Sequence, residues 1–114
     1  MNLFVSKAAA LMTVQDGGRF GYQRFGLPES GPIDWWAFQA VNRLVGNTSS
    51  QACVEMGFTS AELVIEGAGL IAACGAGYEL FINECKMPLW MSIWVKSGDK
   101  ICLEKCPGGN WVYL

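Results

Sequence analysis

The chain contains no histidine. A Ser-His-Asp triad, a Cys-His nucleophile pair and any zinc site built on imidazole are therefore excluded. Charge is also scarce: 16% of residues are charged, with eight Lys and Arg against ten Asp and Glu, a net charge of −2. The basic residues are scattered, so the chain lacks the footprint that nucleic acid or an anionic membrane surface requires. No apolar run is long enough to cross a bilayer. Met1 to Val14 is mildly apolar but interrupted by Lys7, which makes it a first strand and not a leader. Five cysteines, Cys53, Cys74, Cys85, Cys102 and Cys106, are odd in number and irregularly spaced, the pattern of reduced thiols in the cytoplasm. Cys102 and Cys106 have no second pair to complete a metal site. Neither a repeat nor a low-complexity tract divides the sequence, so residues 1–114 read as one domain.

What is present is apolar. At 114 residues, with 52% hydrophobic content and five tryptophans, the chain can bury a core without disulfides and still leave aromatic surface for a partner. Its organising stretch runs from Thr13 to Gly46. Five glycines and two prolines fall between Gly17 and Pro32, a density that rules out regular helix or a long strand and calls for an ordered loop. Gln15, Asp16, Arg19, Tyr22, Gln23, Arg24, Glu29 and Ser30 lie in it. These supply donors, acceptors and charges for a binding surface, or for satisfying the loop's own backbone. Asp16 and Arg19 form the most suggestive set. The arginine would hold the carboxylate ionised and clamp an anionic substrate group, or the two would form an ion pair that pins the loop. We take Asp16 and Arg19 as the candidate catalytic residues, and Gln15, Tyr22, Ser30 and Asp34 as the candidate substrate or partner surface. The segment Gly17-Gly18-Arg19-Phe20-Gly21 lacks the Lys-Ser/Thr of a P-loop, so no motif for direct ATP binding is visible.

The loop leads into the one helix the pattern supports, from Trp35 to Val45. Asp34 is its N-cap and Gly46-Asn47 its left-handed stop. Ala37, Phe38, Val41, Leu44 and Val45 form the apolar face, while Gln39 and Arg43 point away. Short strands are expected on either side. Asn2 to Ser6 and Leu11 to Gln15 read as a hairpin feeding the loop. From Cys53 onward, strands are expected at Cys53 to Met56, Glu62 to Glu66, Leu70 to Cys74, Tyr78 to Asn83, Trp90 to Val95, Asp99 to Glu104 and Asn110 to Leu114. Glycine-rich or polar turns separate them, and the whole indicates an antiparallel barrel or sandwich.

Thr13-Val14-Gln15-Asp16, Gly18-Arg19, Gly21-Tyr22, Pro28, Ser30-Gly31, Asp34, Ala37, Asn42 and Leu44-Val45-Gly46-Asn47 resemble the start of the allophanate hydrolase subunit 2 family. That family is also described as the carboxyltransferase A/B domain. The likeness continues through Glu55, Gly75-Ala76, Pro88-Leu89-Trp90, Gly98-Asp99 and Tyr113-Leu114. Family members include the C subunit of bacterial 5-oxoprolinase, a segment of urea carboxylase and a KipA-like antagonist of a sporulation-kinase inhibitor. The chain departs from the pattern at Ala9-Ala10, where a Pro-Gly turn is usual, at Trp111 in place of an arginine, and at Trp35 in place of a polar or basic residue.

The resemblance implies a mainly β fold, a cyclophilin-like antiparallel β-barrel with one α-helix at about residues 34–45. It implies part of an ATP-dependent 5-oxoprolinase-type amidohydrolase that cleaves 5-oxoproline to glutamate. The alternatives are part of a biotin-dependent carboxyltransferase acting on urea-like amides, or a non-catalytic module that antagonises a kinase inhibitor. ATP, or carboxybiotin, is implied for the assembled enzyme. The implied partners are a homologous β-barrel protein, resembling KipI or the B subunit of 5-oxoprolinase, and a third enzyme subunit, with a small amide as substrate. Because family members continue past Tyr113-Leu114 into a second β subdomain, the chain is expected to be an amino-terminal portion, inactive alone, with an uncovered edge that favours self-association.

Overall fold

The strands follow from period-two alternation, which puts every second side chain on the same face of a pleated strand. In Ala61–Glu66, Lys100–Lys105 and Tyr78–Ile82 the inward residues are Ala61, Leu63 and Ile65, then Ile101 and Leu103, then Tyr78 and Leu80, all buried. The computed structural model describes residues 1–15, 34–48 and 51–114. In chain order its elements are β1 (Asn2–Lys7), β2 (Leu11–Gln15), α1 (Trp35–Leu44), β3 (Cys53–Gly57), β4 (Ala61–Glu66), β5 (Gly69–Ile71), β6 (Cys74–Ala76), β7 (Tyr78–Ile82), β8 (Cys85–Met87), β9 (Ile93–Val95), β10 (Lys100–Lys105) and β11 (Trp111–Tyr113). Two larger antiparallel sheets, ordered β1-β4-β10-β7-β8 and β2-β3-β11-β6, are joined by a β5-β9 ribbon. The fold is thus mainly β with one helix among the described residues, its ladders forming three sheets and not a single closed ring. Leu63, Ile65, Leu80, Ile101 and Leu103 from the first sheet meet Met56 and Val112 from the second in one core.

The helix follows the expected limits to within a residue. The Asp34 side chain accepts the Ala37 N–H at 3.0 Å, and Gly46 takes the left-handed conformation just past the end. Ala37, Phe38 and Val41 pack on Cys53, Cys74 and Tyr113 of the second sheet and on Ala72 between β5 and β6. Buried Asn42 adds a polar anchor, donating to the Gln51 carbonyl at 2.9 Å.

Four strand expectations are corrected. β1 and β2 are not a hairpin: β1 pairs with β4, and β2 with β3. Between them Ala9 is buried and the Ala10 N–H donates to Thr59 Oγ1 at 2.6 Å, so the connection crosses from one sheet to the other instead of turning back. The expected strand Leu70 to Cys74 splits into β5 and β6, because Ala72 and Ala73 leave the ladder and the Ala73 carbonyl accepts the Trp90 N–H at 2.8 Å. Trp90 itself has φ 60°, a left-handed conformation incompatible with continuous strand, so only Ile93–Val95 of that run pairs. The fourth difference is β8. Asn83 and Glu84 both have positive φ and form the two-residue turn that folds Cys85–Met87 back on β7.

A second tight turn is fixed by a carboxylate. Asp99 accepts the Lys96 N–H and the Asn83 side-chain amide, each at 2.9 Å. Chiefly the Lys96 amide, and next Asn83, favour the charged form and hold the Asp99 carboxyl below the usual carboxylate range. A folded-state pKa below the unfolded one contributes stability that is present above the unfolded value and lost as pH falls through the folded one. Asp99→Asn is therefore expected to lower the thermal midpoint near neutral pH and to flatten its decline in acid, as measured by circular dichroism melts from pH 7 to 3. Parallel acid limbs in the two proteins would show that Asp99 is not the group responsible.

Candidate functional site

Gln15, the last residue of β2, and Asp34, the cap of α1, are the two ends of the stretch 16–33. Both lie at the same part of the second sheet. Gln15 is opposite Cys53 in the β2–β3 ladder, and two residues away Thr13 is opposite Glu55. On the other side of β3, Tyr113 of β11 is also opposite Glu55, and across β11 it is opposite Cys74. Thr13, Glu55, Tyr113 and Cys74 thus form one row across four strands. Gln15 donates to Thr13 Oγ1 at 2.9 Å.

A buried polar relay occupies the centre of this row. Tyr113 is fully buried and Glu55 only 3% exposed. The Tyr113 hydroxyl donates a short hydrogen bond to the Glu55 carboxylate and accepts the Asp34 backbone N–H at 2.8 Å. Phe38 packs edge-on to the Tyr113 ring at 6.3 Å between centroids, and Trp35 edge-on to Phe38 at 5.7 Å. The start of α1 at Asp34 is therefore held on a carboxylate-tyrosine pair of the sheet. A carboxylate can stay in such an interior only with hydrogen-bonding partners.

The neighbouring thiols are poor nucleophiles. Burial pushes both Cys53 and Cys74 up to about 11, a rise that the Asn42 side chain tempers at Cys53 and the Trp90 backbone at Cys74. They remain protonated near neutral pH and act as small apolar side chains. Among the described residues no group of three or more Cys, Asp or Glu could hold a metal ion.

Of the candidate site residues, Asp16, Arg19, Tyr22 and Ser30 lie outside the described residues. Gln15 and Asp34 are described: Gln15 bonds Thr13 at one end of the row, and the Asp34 N–H bonds the Tyr113 hydroxyl at its centre. Asp34 is the helix cap, the role its sequence position favours over acid-base work. Glu55 is a member of this row that the sequence reading leaves out of the candidate site. A lone acidic residue in the apolar run Cys53-Val54-Glu55-Met56 is the available signal, and only the tertiary pairing with Tyr113 gives it meaning.

Residues 25–114 match the family described as "Carboxyltransferase domain, subdomain A and B". The chain belongs to the carboxyltransferase domain family. This carboxyltransferase-domain chain is 32% identical over 111 residues to the urea amidolyase of Lachancea kluyveri, covering 96% of the chain and 6% of that protein. It is 30% identical over 112 residues to the C subunit of the Escherichia coli 5-oxoprolinase, covering 98% of the chain and 36% of that subunit. Its fold superposes on the crystal structure of the Kluyveromyces lactis urea carboxylase with a TM-score of 0.92 at 33% identity, over 97% of this chain and 10% of that one. The chain thus spans about a third or less of these relatives.

Proposed function

We propose that this carboxyltransferase-domain chain contributes to a 5-oxoprolinase-type enzyme, the ATP-dependent ring opening of 5-oxoproline to glutamate. It would work in the cytoplasm with a homologous β-barrel subunit and a third subunit. The observation that carries this reading is the likeness to the C subunit of 5-oxoprolinase, which takes in 98% of the chain and over a third of that subunit. A second reading is supported by the 32% identity to urea amidolyase: part of a carboxyltransferase acting on urea-like amides, with carboxybiotin delivering the carboxyl group.

The described residues do not fit ATP. Their one helix N-terminus is already occupied by the Asp34 carboxylate, which accepts the Ala37 N–H and would repel a phosphate. Nucleotide binding under this reading falls to groups outside the described residues, in this chain or in partner subunits. What the described part of the chain supplies is a rigid anchor for both ends of the stretch carrying Asp16, Arg19, Tyr22 and Ser30.

The test is reconstitution of the full-length protein with its cognate subunits, followed by assays for glutamate from 5-oxoproline plus ATP and for carboxylation of urea by a biotin-dependent partner. Glutamate formation is expected. Alanine at Asp16, Arg19 or Tyr22 should then lower kcat/KM at least tenfold with the melting temperature nearly unchanged, since polar loop groups add little stability unless they pair with buried ones. Urea carboxylation alone would select the second reading.

A further inference from the structure

The outward side of α1 carries a second stripe unlike a solvated helix face. Trp36, Gln39 and Arg43 follow one another at helical spacing on the side away from the buried Ala37, Phe38 and Val41, and Ala40 and Leu44, which pack in part on the core, form the border. Across from them stands Trp90, and together they line a groove of about 380 Å³. Trp36 is 76% exposed and Trp90 42% exposed. The backbone holds Trp90 there against its own preference: its left-handed φ is fixed by the N–H bond to the Ala73 carbonyl.

The electrostatics of the groove are one-sided. Among the described residues Arg43 is its only charged lining group, and no acidic side chain lines it. The ion pairs among the described residues join Lys86 to Glu79 and Lys100 to Glu62, and neither engages the Arg43 guanidinium. The nearest acid along the helix, Asp34, is committed to the Ala37 N–H. An arginine and two tryptophans lining one groove, together with Leu44 and Ala40, combine the residue types in which protein interfaces concentrate binding energy. The guanidinium fork is matched by a carboxylate, which it can bind through two parallel hydrogen bonds.

We propose that the Trp36–Arg43–Trp90 groove is a docking site for an acidic, apolar segment of a partner protein, with an Asp or Glu on Arg43 and a neighbouring aliphatic or aromatic side chain between the two indoles. This assigns to the helix's outer face a recognition role separate from the Glu55–Tyr113 relay on its inner face. It does not depend on which reaction the assembled enzyme performs.

The experiment pans a random dodecapeptide display library against the immobilised chain and measures selected peptides, made synthetically, by the tryptophan fluorescence of the chain in solution. Selected sequences are expected to be enriched in Asp or Glu beside Leu, Phe or Trp. Their affinity should fall at least tenfold for Arg43→Gln, for Trp36→Ala, and for peptides with Asn and Gln in place of the acids, and it should weaken as salt is raised. Both side chains are exposed, so unchanged melting curves will certify the variants. Four results would each overturn the proposal: no enrichment over an unrelated bait, enriched sequences without acidic residues, binding indifferent to both substitutions, or full displacement by millimolar benzoate, which marks a small-carboxylate site. Sedimentation showing a dimer that Trp36→Ala dissociates would overturn it too, making a second copy the occupant instead.

Discussion

Tyr113→Phe is expected to lower the stability of the chain by about 3 kcal/mol, a fall in melting midpoint of roughly 10 °C for a domain of this size. The substitution keeps the ring that packs on Phe38 and removes one oxygen. Among the described residues that oxygen serves two groups. It donates to the buried Glu55 carboxylate and accepts the Asp34 N–H, so its loss weakens the solvation of a charge and leaves a backbone donor at the helix entrance without its acceptor. A hydrogen bond to a charged group contributes about 1.5–3 kcal/mol and a stranded buried donor costs about 1–3 kcal/mol. Since the two losses share one atom, they will not add fully. Glu55→Gln, which keeps an acceptor for the phenol, should cost less than Tyr113→Phe. Urea unfolding of both variants with unchanged m-values gives the comparison. A Tyr113→Phe midpoint within a degree of wild type would show that the relay contributes nothing to folding. Amide exchange should separate a local effect from a global one, because Asp34 loses protection first if the hydroxyl is what holds the start of the helix.

Gly77→Ala is expected to cost more than about 3 kcal/mol, and to prevent accumulation of folded protein at elevated temperature. Gly77 turns the chain from β6 into β7 with φ 81°, where a side chain already costs roughly 1–2 kcal/mol. Steric contact costs more. A Cβ there would collide with the Gly109 carbonyl oxygen and would lie 2.6 Å from the Gly109 nitrogen. Backbone cannot swing aside as a side chain can. The approach is reciprocal, since a Cβ on Gly109 would meet the Ala76 carbonyl carbon at 2.6 Å, and the Cys106 N–H donates to the Gly77 carbonyl at 2.8 Å. The two turns are therefore packed main chain to main chain. Gly98→Ala is the control: φ is 90° but nothing lies within 4 Å of the added methyl, so only the conformational cost of about 1–2 kcal/mol remains. Equal losses in the two variants would mean that the turn–turn contact is not close in solution.

The same two positions mark how far the sequence can be read. The glycine turns are legible because Gly67, Gly77, Gly98 and Gly108 fall between strand-like runs and do adopt positive φ; what each turn touches is not. The helix is legible end to end, since Asp34 and Gly46 act within a few residues of chain. Errors arise where a distant strand decides the outcome. Leu3 to Lys7 pairs with β4 some sixty residues away, and that pairing, not the small Ala8-Ala9-Ala10 connection, dictates where β1 lies. Cys85-Lys86-Met87 has little strand character, yet the two-residue turn at Asn83 and Glu84 delivers it to the free edge of β7. Trp90 to Val95 has ample strand character, yet the hydrogen bond to Ala73 pulls its first residue out of the ladder.

By itself, the sequence determined the β class from alternation, the single capped helix among the described residues, and the family from Thr13 to Asn47 and onward. All of these rest on interactions or identities within a short span. Tertiary structure alone decided that Gln15 and Asp34 stand beside the same row of strands, that Glu55 and Tyr113 form a buried pair beneath the helix, and that Trp36 and Trp90 line one groove. The physical reason is register: β11 slots between β3 and β6, and only that alignment sets a tyrosine near the carboxyl end opposite a glutamate fifty-eight residues earlier. No local propensity encodes such a pairing. It is fixed by which apolar faces can be buried together, a property of the whole chain.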